Sequence, residues 1–243
     1  MTAYVFAPPP VVVVPILGSD TLFPVRRIYC VGRNYLDHVR EMGGDERDPP
    51  FFFQKPADAI VISGTSVPYP PFTRDFQYEI ELVLAIGKGG ADIAAEDAAA
   101  QVHGLAVGID LTRRDVQIIA RKAGKPWEIG KAFDHSAPIT PIAPLQGALP
   151  TSGAITLAVN GETRQSGDLS EMVWNCAEIV AQLSAQYRLE PGDLIYTGTP
   201  AGVGPLVPGD RVTGSVAGVG DIVVDIDQAN QRTEHFSNSV QTY

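Results

Sequence analysis

"RDFQYEIELVLAIGKG", residues 74–89, decides how the rest of the chain is read, because Glu79 and Glu81 interrupt what is otherwise a buried strand. Alternate side chains of a strand share a face, so Glu79 and Glu81 point one way while Ile80 and Leu82 point the other. Two like charges side by side raise a carboxyl pKa unless water or a cation compensates them. Either this face is wet, which is the ordinary setting of a glutamate, or the pair belongs to a divalent-metal site. A metal requires a third ligand.

Asp110 is the candidate third ligand. It ends the apolar run "HGLAVGIDL" (103–111), where a charge is costly unless paired or bound; a strand-end turn or a cap for the next segment is the alternative. Three hard oxygen donors with no accompanying His or Cys suit Mg²⁺, Mn²⁺ or Ca²⁺ better than zinc. His38 and Glu41 lie three apart on a predicted short helix, so they share a face and form either a base held by a carboxylate or an exposed pair. Lys55 in "FFFQKP" and Lys131 in "WEIGKAFDHSAP" interrupt apolar surroundings, where a lysine snorkels, pairs with a carboxylate or has a functional task. His103, His135 and His235 show no such partner and read as structural. "TGTPAGVGP" (197–205) can present backbone N–H groups to a carboxylate, but it matches neither the Walker loop nor the dinucleotide fingerprint.

Composition sets the outer limits. A chain of 243 residues with 44% hydrophobic content buries a sizeable core. We expect a proline-punctuated extended arm or short strand pair over 1–24, and one domain over 25–243. The net charge of −10 argues against nucleic acid, whose phosphates an acidic surface repels. Arg26-Arg27 and Arg113-Arg114 read as short solvated basic spots. Cys30 and Cys176 have no paired spacing, which fits a reducing compartment. "VVVVPIL" is broken by Pro15 and lacks a basic flank, so neither a signal peptide nor a membrane span is expected. The expected location is the cytoplasm.

The remaining pattern is mostly β. Strands are expected at 26–32, 50–56, 58–63 and 105–111, and helices at 34–43 (capped by Asn34) and 92–102. Asn160-Gly161 predicts a type I′ hairpin over 155–167. The one long helix is expected over 171–187, with Asp168 and Glu171 spaced as its capping box. Pro-Gly-Asp occurs at 191–193 and again at 208–210, each time as a turn before a β run.

Six blocks in order, "YCVGRNYLDHVREMG", "FFFQKPADAIV", "YEIELVLAIGKG", "GIDLTRRDVQ", "GKPWEIGKAFD" and "IYTGTPAGVGP", resemble the fumarylacetoacetate hydrolase superfamily, most of all its small acylpyruvate hydrolases. The resemblance implies a β-dominated α+β fold, a mixed β-roll with few short helices. It also implies a homodimer, an Mg²⁺ or Mn²⁺ site and a small anionic 2-oxo acid substrate. By position it implies metal ligands at Glu79, Glu81 and Asp110, and catalytic roles for His38, Glu41 and Lys131. Substrate contacts are implied at Arg33, Arg114, Gln117 and Thr199, and we add Lys55 to them. The implied reaction is hydrolysis of a carbon–carbon bond in a 3-acylpyruvate, fumarylpyruvate first. Oxaloacetate decarboxylation, isomerisation of hydroxymuconic-type dienes and sugar-acid dehydration use the same kind of site, and a non-catalytic, metal-stabilised binding protein is the alternative of another class.

Overall fold

A computed structural model describes residues 4–35 and 49–229. Its centre is the strand Ile80–Ile86, buried along its whole length. Ile80, Leu82, Leu84 and Ile86 enter the main hydrophobic cluster, whereas Val83 and Ala85 enter a second cluster on the opposite face. The alternation read from the sequence therefore holds, but both faces are dry. Burial on both faces is why this strand reads as a nearly continuous apolar run.

The larger sheet is mixed and runs in the order Phe51–Lys55, Arg27–Gly32, Asp193–Tyr196, Ile80–Ile86, Val102–Ile109, Ala137–Ile139, Ile60–Ile62. Asp193–Tyr196 lies parallel to Arg27–Gly32, and Ala137–Ile139 parallel to Ile60–Ile62. A second sheet, Glu162–Asp168, Ala154–Val159, Arg211–Val216, Gly220–Asp227, Ser66–Pro68, packs its apolar side chains into the main cluster with those of the first. This is the expected β-roll. Val13–Pro15 and Leu22–Pro24 pair as a small hairpin, whose Val14 and Phe23 cover the second cluster. No helix among the described residues is long and apolar enough to cross a membrane.

Local chemistry accounts for the turns. Asn160 and Gly161 both take positive φ (54° and 82°), the requirement of the I′ turn that joins Ala154–Val159 to Glu162–Asp168. The two Pro-Gly-Asp turns are the same device used twice. Asp193 accepts from Glu190 N–H at 2.9 Å and Asp210 from Val207 N–H at 2.8 Å, and each turn leads into a strand.

Several expectations are corrected. Segment 92–102 forms a 3₁₀ stretch, Ala95–Gln101, and the next strand starts at Val102; the Gln101 carbonyl is already taken by Gly87 N–H at 2.7 Å. The long helix begins only at Cys176, capped by Asn175 with Glu178. The Asp168–Glu171 box is present but caps the single turn Leu169–Glu171. Between them Trp174 is held by Asn34, whose amide donates to the Trp174 carbonyl at 2.9 Å and accepts from its N–H at 2.8 Å, so helix cannot start there. A second helix, Arg114–Lys122, was not expected; its inward side carries Arg114 and Gln117 beside Val116 and Ala120, while Ile119 is exposed. Arg26 and Arg27 are not simply solvated, since both pair with the fully buried Asp193.

Asn34 also donates to the Thr197 carbonyl at 2.8 Å, so one side chain serves three main-chain groups. Asn34→Ala is expected to lower unfolding free energy by about 2–4 kcal/mol, because the Trp174 and Thr197 groups lose their partner. Denaturant unfolding checks it, and a loss below about 0.5 kcal/mol would show that water replaces the amide.

Candidate metal centre and cleft

The sheet register brings the three carboxylates together. Glu81 pairs with Gly108 and Ile80 with Ile109, and Asp110 N–H continues the ladder to the Glu79 carbonyl at 2.8 Å. Glu79, Glu81 and Asp110 are all buried, each offering an oxygen within 4.8 Å of the others. Glu81 lies on the face of Val83 and Ala85, at the end of the sheet where the Thr197–Pro200 loop passes. Gly198 donates its N–H to Glu81 Oε2 at 2.6 Å. Its φ of +99° and the 2.7 Å that a Cβ would leave to Asn34 Cβ permit only glycine there.

Three cations answer the three carboxylates. Arg114 pairs with Glu79 Oε1 and reaches Gln77 at 2.8 Å. The Lys131 ammonium donates to Glu79 Oε2 at 3.0 Å, Asp110 Oδ2 at 2.6 Å and Thr112 Oγ1 at 2.7 Å. Lys55 Nζ lies 2.8 Å from Asp110 Oδ1. Burial alone would pull the Lys131 pKa down, but Asp110 and Glu79 outweigh it and hold the ammonium above its ordinary value. Glu81 goes the other way: burial first, then the charges of Asp110 and Glu79, push it well above the carboxylate range.

These residues fit a hard divalent cation. The donor set is all oxygen, and Asp110 Oδ1 is buried without accepting a hydrogen bond among the described residues, its contact with Lys55 lying outside hydrogen-bonding geometry. Glu79, Glu81 and Asp110 would hold Mg²⁺ or Mn²⁺.

Above the triad is a cleft lined by Arg33, Glu79, Glu81, Arg114, Gln117, Lys131 and Thr199, with Val31, Phe53 and Trp127 as an apolar side. Seven residues expected at the site are thus brought to one place. Gln117 is fully buried and, among the described residues, its amide nitrogen has no hydrogen-bond partner. Arg33 stands at a positive φ of 58°. Lys55 does not line the cleft: it is buried beneath it, donating to the Leu111 carbonyl at 3.1 Å and to the Lys131 carbonyl. His38 and Glu41, with the helix expected around them, lie outside the described residues, as does His235.

Two residues were not anticipated. Thr112, fully buried, supplies the third acceptor to Lys131; its signal was its place two residues after Asp110, on the same side of an extended chain. Gln165 accepts from Ile80 N–H at 3.0 Å and donates to Thr199 Oγ1 at 2.7 Å and the Pro200 carbonyl at 2.8 Å. The Thr199 oxygen therefore accepts from Gln165, leaving its own proton to donate. No sequence signal marked it; only the structure shows Gln165 buried between the exposed Arg164 and Ser166.

Comparison with known proteins agrees with the geometry. Residues 27–227 match the model described as "Fumarylacetoacetate (FAA) hydrolase C-terminal", and the chain belongs to this enzyme family. A fumarylpyruvate hydrolase of Ralstonia sp is 46% identical over 179 residues, 74% of this chain and 93% of that protein. The crystal structure of fumarylpyruvate hydrolase from Pseudomonas aeruginosa in complex with Mn²⁺ and pyruvate superposes with a TM-score of 0.90 at 52% identity, covering 93% of this chain and 100% of that one. An oxaloacetate tautomerase of Escherichia coli is 38% identical over 81% of this chain and 90% of that protein.

The raised Glu81 pKa has a measurable sign. Below about pH 4.5, where the unfolded carboxyl also keeps its proton, the group contributes its full stability, and this is lost as pH rises through the folded value. Chelator-treated protein should lose thermal stability as pH rises above about 4.5, and Glu81→Gln should flatten the decline. Mg²⁺ or Mn²⁺, which requires the ionised carboxylate, should offset it and release protons on binding. Thermal midpoints at a series of pH values, with and without metal, check all three.

Proposed function

We propose that this enzyme hydrolyses the carbon–carbon bond of a 3-acylpyruvate, with fumarylpyruvate giving fumarate and pyruvate as the best-supported case. The observation that carries the reading is the buried Glu79–Glu81–Asp110 triad beneath a cleft whose polar side is built of Arg114, Gln117, Lys131 and Thr199. The similarity to fumarylpyruvate hydrolases at 46% and 52% identity supports the same substrate class.

The formal charges of the triad cancel against Arg114, Lys131 and Lys55, so the cleft floor of an acidic protein does not repel an anion. A divalent cation bound there supplies Lewis-acid polarisation of the 2-oxo acid and stabilises negative charge as the bond breaks. Thr199, with its oxygen occupied by Gln165, directs its proton toward a substrate carboxylate. Gln117 offers its unpartnered amide N–H to a substrate oxygen. Lys131 places an ammonium where enolate charge develops. His38, held by Glu41, removes a proton from water, and the hydroxide attacks the distal carbonyl; this part rests on the family resemblance alone. The resemblance is likewise the basis for proposing a homodimer, which sedimentation velocity would test.

Chelator-treated protein should recover hydrolysis of fumarylpyruvate on addition of Mg²⁺, well above acetylpyruvate and oxaloacetate, with fumarate and pyruvate identified as products. Conversion of oxaloacetate alone would leave the site standing and remove the hydrolase reading, in favour of the chemistry named for the Escherichia coli relative. Lys131→Met should lower kcat by roughly 10²–10³-fold. Turnover undiminished in His38→Ala would remove His38 from the water-activating role.

A further inference from the structure

The proposed reaction leaves Lys55 without a task, although a lysine 2% exposed is among the most completely buried charges of the protein. We infer that Lys55 is a positioning residue, which fixes the carboxylate of Asp110 and the main chain of Lys131 and does not touch substrate. The inference rests on reading Glu79, Glu81 and Asp110 as a cation site.

The ammonium donates to two main-chain oxygens, the Leu111 carbonyl at 3.1 Å and the Lys131 carbonyl, and makes an ion pair with Asp110 Oδ1 at 2.8 Å. On another side the Phe133 ring lies 5.6 Å away, closing the site with an apolar surface. The contacts tie together three separate parts of the chain. Lys55 ends the strand Phe51–Lys55, Asp110 and Leu111 follow the strand Val102–Ile109, and Lys131 ends the helical turn Glu128–Lys131. Asp110 is thus gripped on both oxygens, Oδ1 beside Lys55 from below and Oδ2 bonded to Lys131 at 2.6 Å on the cleft side. Rotating its carboxylate breaks both pairs. Holding the Lys131 carbonyl fixes the point from which the Lys131 side chain reaches back to Glu79, Asp110 and Thr112. Groups that orient a ligating carboxylate in this way tune metal affinity without meeting the metal.

Electrostatics and positioning predict opposite signs, which makes the inference testable. Removing a positive charge beside a ligand carboxylate strengthens its pull on a cation; removing the clamp lets the carboxylate turn away. Mn²⁺ binding to Lys55→Met, read by electron paramagnetic resonance of the free ion, should weaken by ~10- to 100-fold, with a cooperative thermal transition in chelator showing that the variant is folded. Mn²⁺ affinity equal to or above wild type overturns the assignment. A wild-type protein that binds no Mn²⁺ brings down the cation-site reading itself, and this inference with it.

Should Lys55→Met not fold, the wild type supplies a second reading. The chain has five lysines, of which Lys88, Lys122 and Lys125 are exposed. In ¹⁵N-lysine-labelled, Mg²⁺-loaded protein two slowly exchanging ammonium signals are expected, and added pyruvate should move one and leave the other. A shift of both would mean that Lys55 also meets the ligand, and would overturn the inference.

Discussion

Three carboxylates with oxygens within 4.8 Å of one another inside a protein set the terms for everything packed around them. Their mutual repulsion and loss of hydration cost far more than a few hydrogen bonds return, so the fold has to bring compensating charge to the same point. It does so from three directions, with Arg114 from a helix, Lys131 from a short helical turn and Lys55 from a strand. The compensation is uneven. Glu79 and Asp110 each meet two of the cations, whereas Glu81 receives the Gly198 N–H, and it is Glu81 that burial drives toward its protonated form.

That unevenness connects fold to chemistry. A site whose charges were fully paired would be an inert core network. Among the described residues one carboxylate is short of positive charge and one Asp110 oxygen accepts no hydrogen bond, so a divalent cation completes the arrangement. With the cation bound, the floor of the cleft becomes net positive in a protein of formal charge −10. A small anion is then attracted locally, although the molecule as a whole repels it.

The supporting shell is made of amides as much as of charges. Gln165 joins the main chain beside Glu79 to Thr199 and Pro200, crossing from the second sheet to the loop over the first. Asn34 links the chain after Arg27–Gly32 to Trp174 and Thr197. The loop 197–200 is therefore held from two sides by side chains that never enter the cleft, and Gly198 between them is left free to point its N–H at Glu81. Rigidity of this kind keeps the oxygen donors of the site close together.

Sequence alone determined the parts that depend on local periodicity and on the cost of misplaced charge. Strand alternation put Glu79 and Glu81 on one side, the apolar run before Asp110 marked it as a charge in need of a partner, and Asn160-Gly161 could make only one kind of turn. The block order added the family, and with it the expectation that Arg114, Gln117 and Thr199 belong to the site, where all three line the cleft. Tertiary structure alone decided which cation answers which carboxylate. Lys55 and Lys131 look alike in sequence, each a lysine among apolar neighbours, yet one lines the cleft and the other lies beneath it. Nothing within a few residues of either distinguishes them, because the distinction comes from Asp110, Leu111 and the Lys131 carbonyl, brought to Lys55 across 55 to 76 positions of chain. Gln165 and Thr112 were hidden for the same reason: a buried amide or hydroxyl acquires its meaning from partners that only folding supplies.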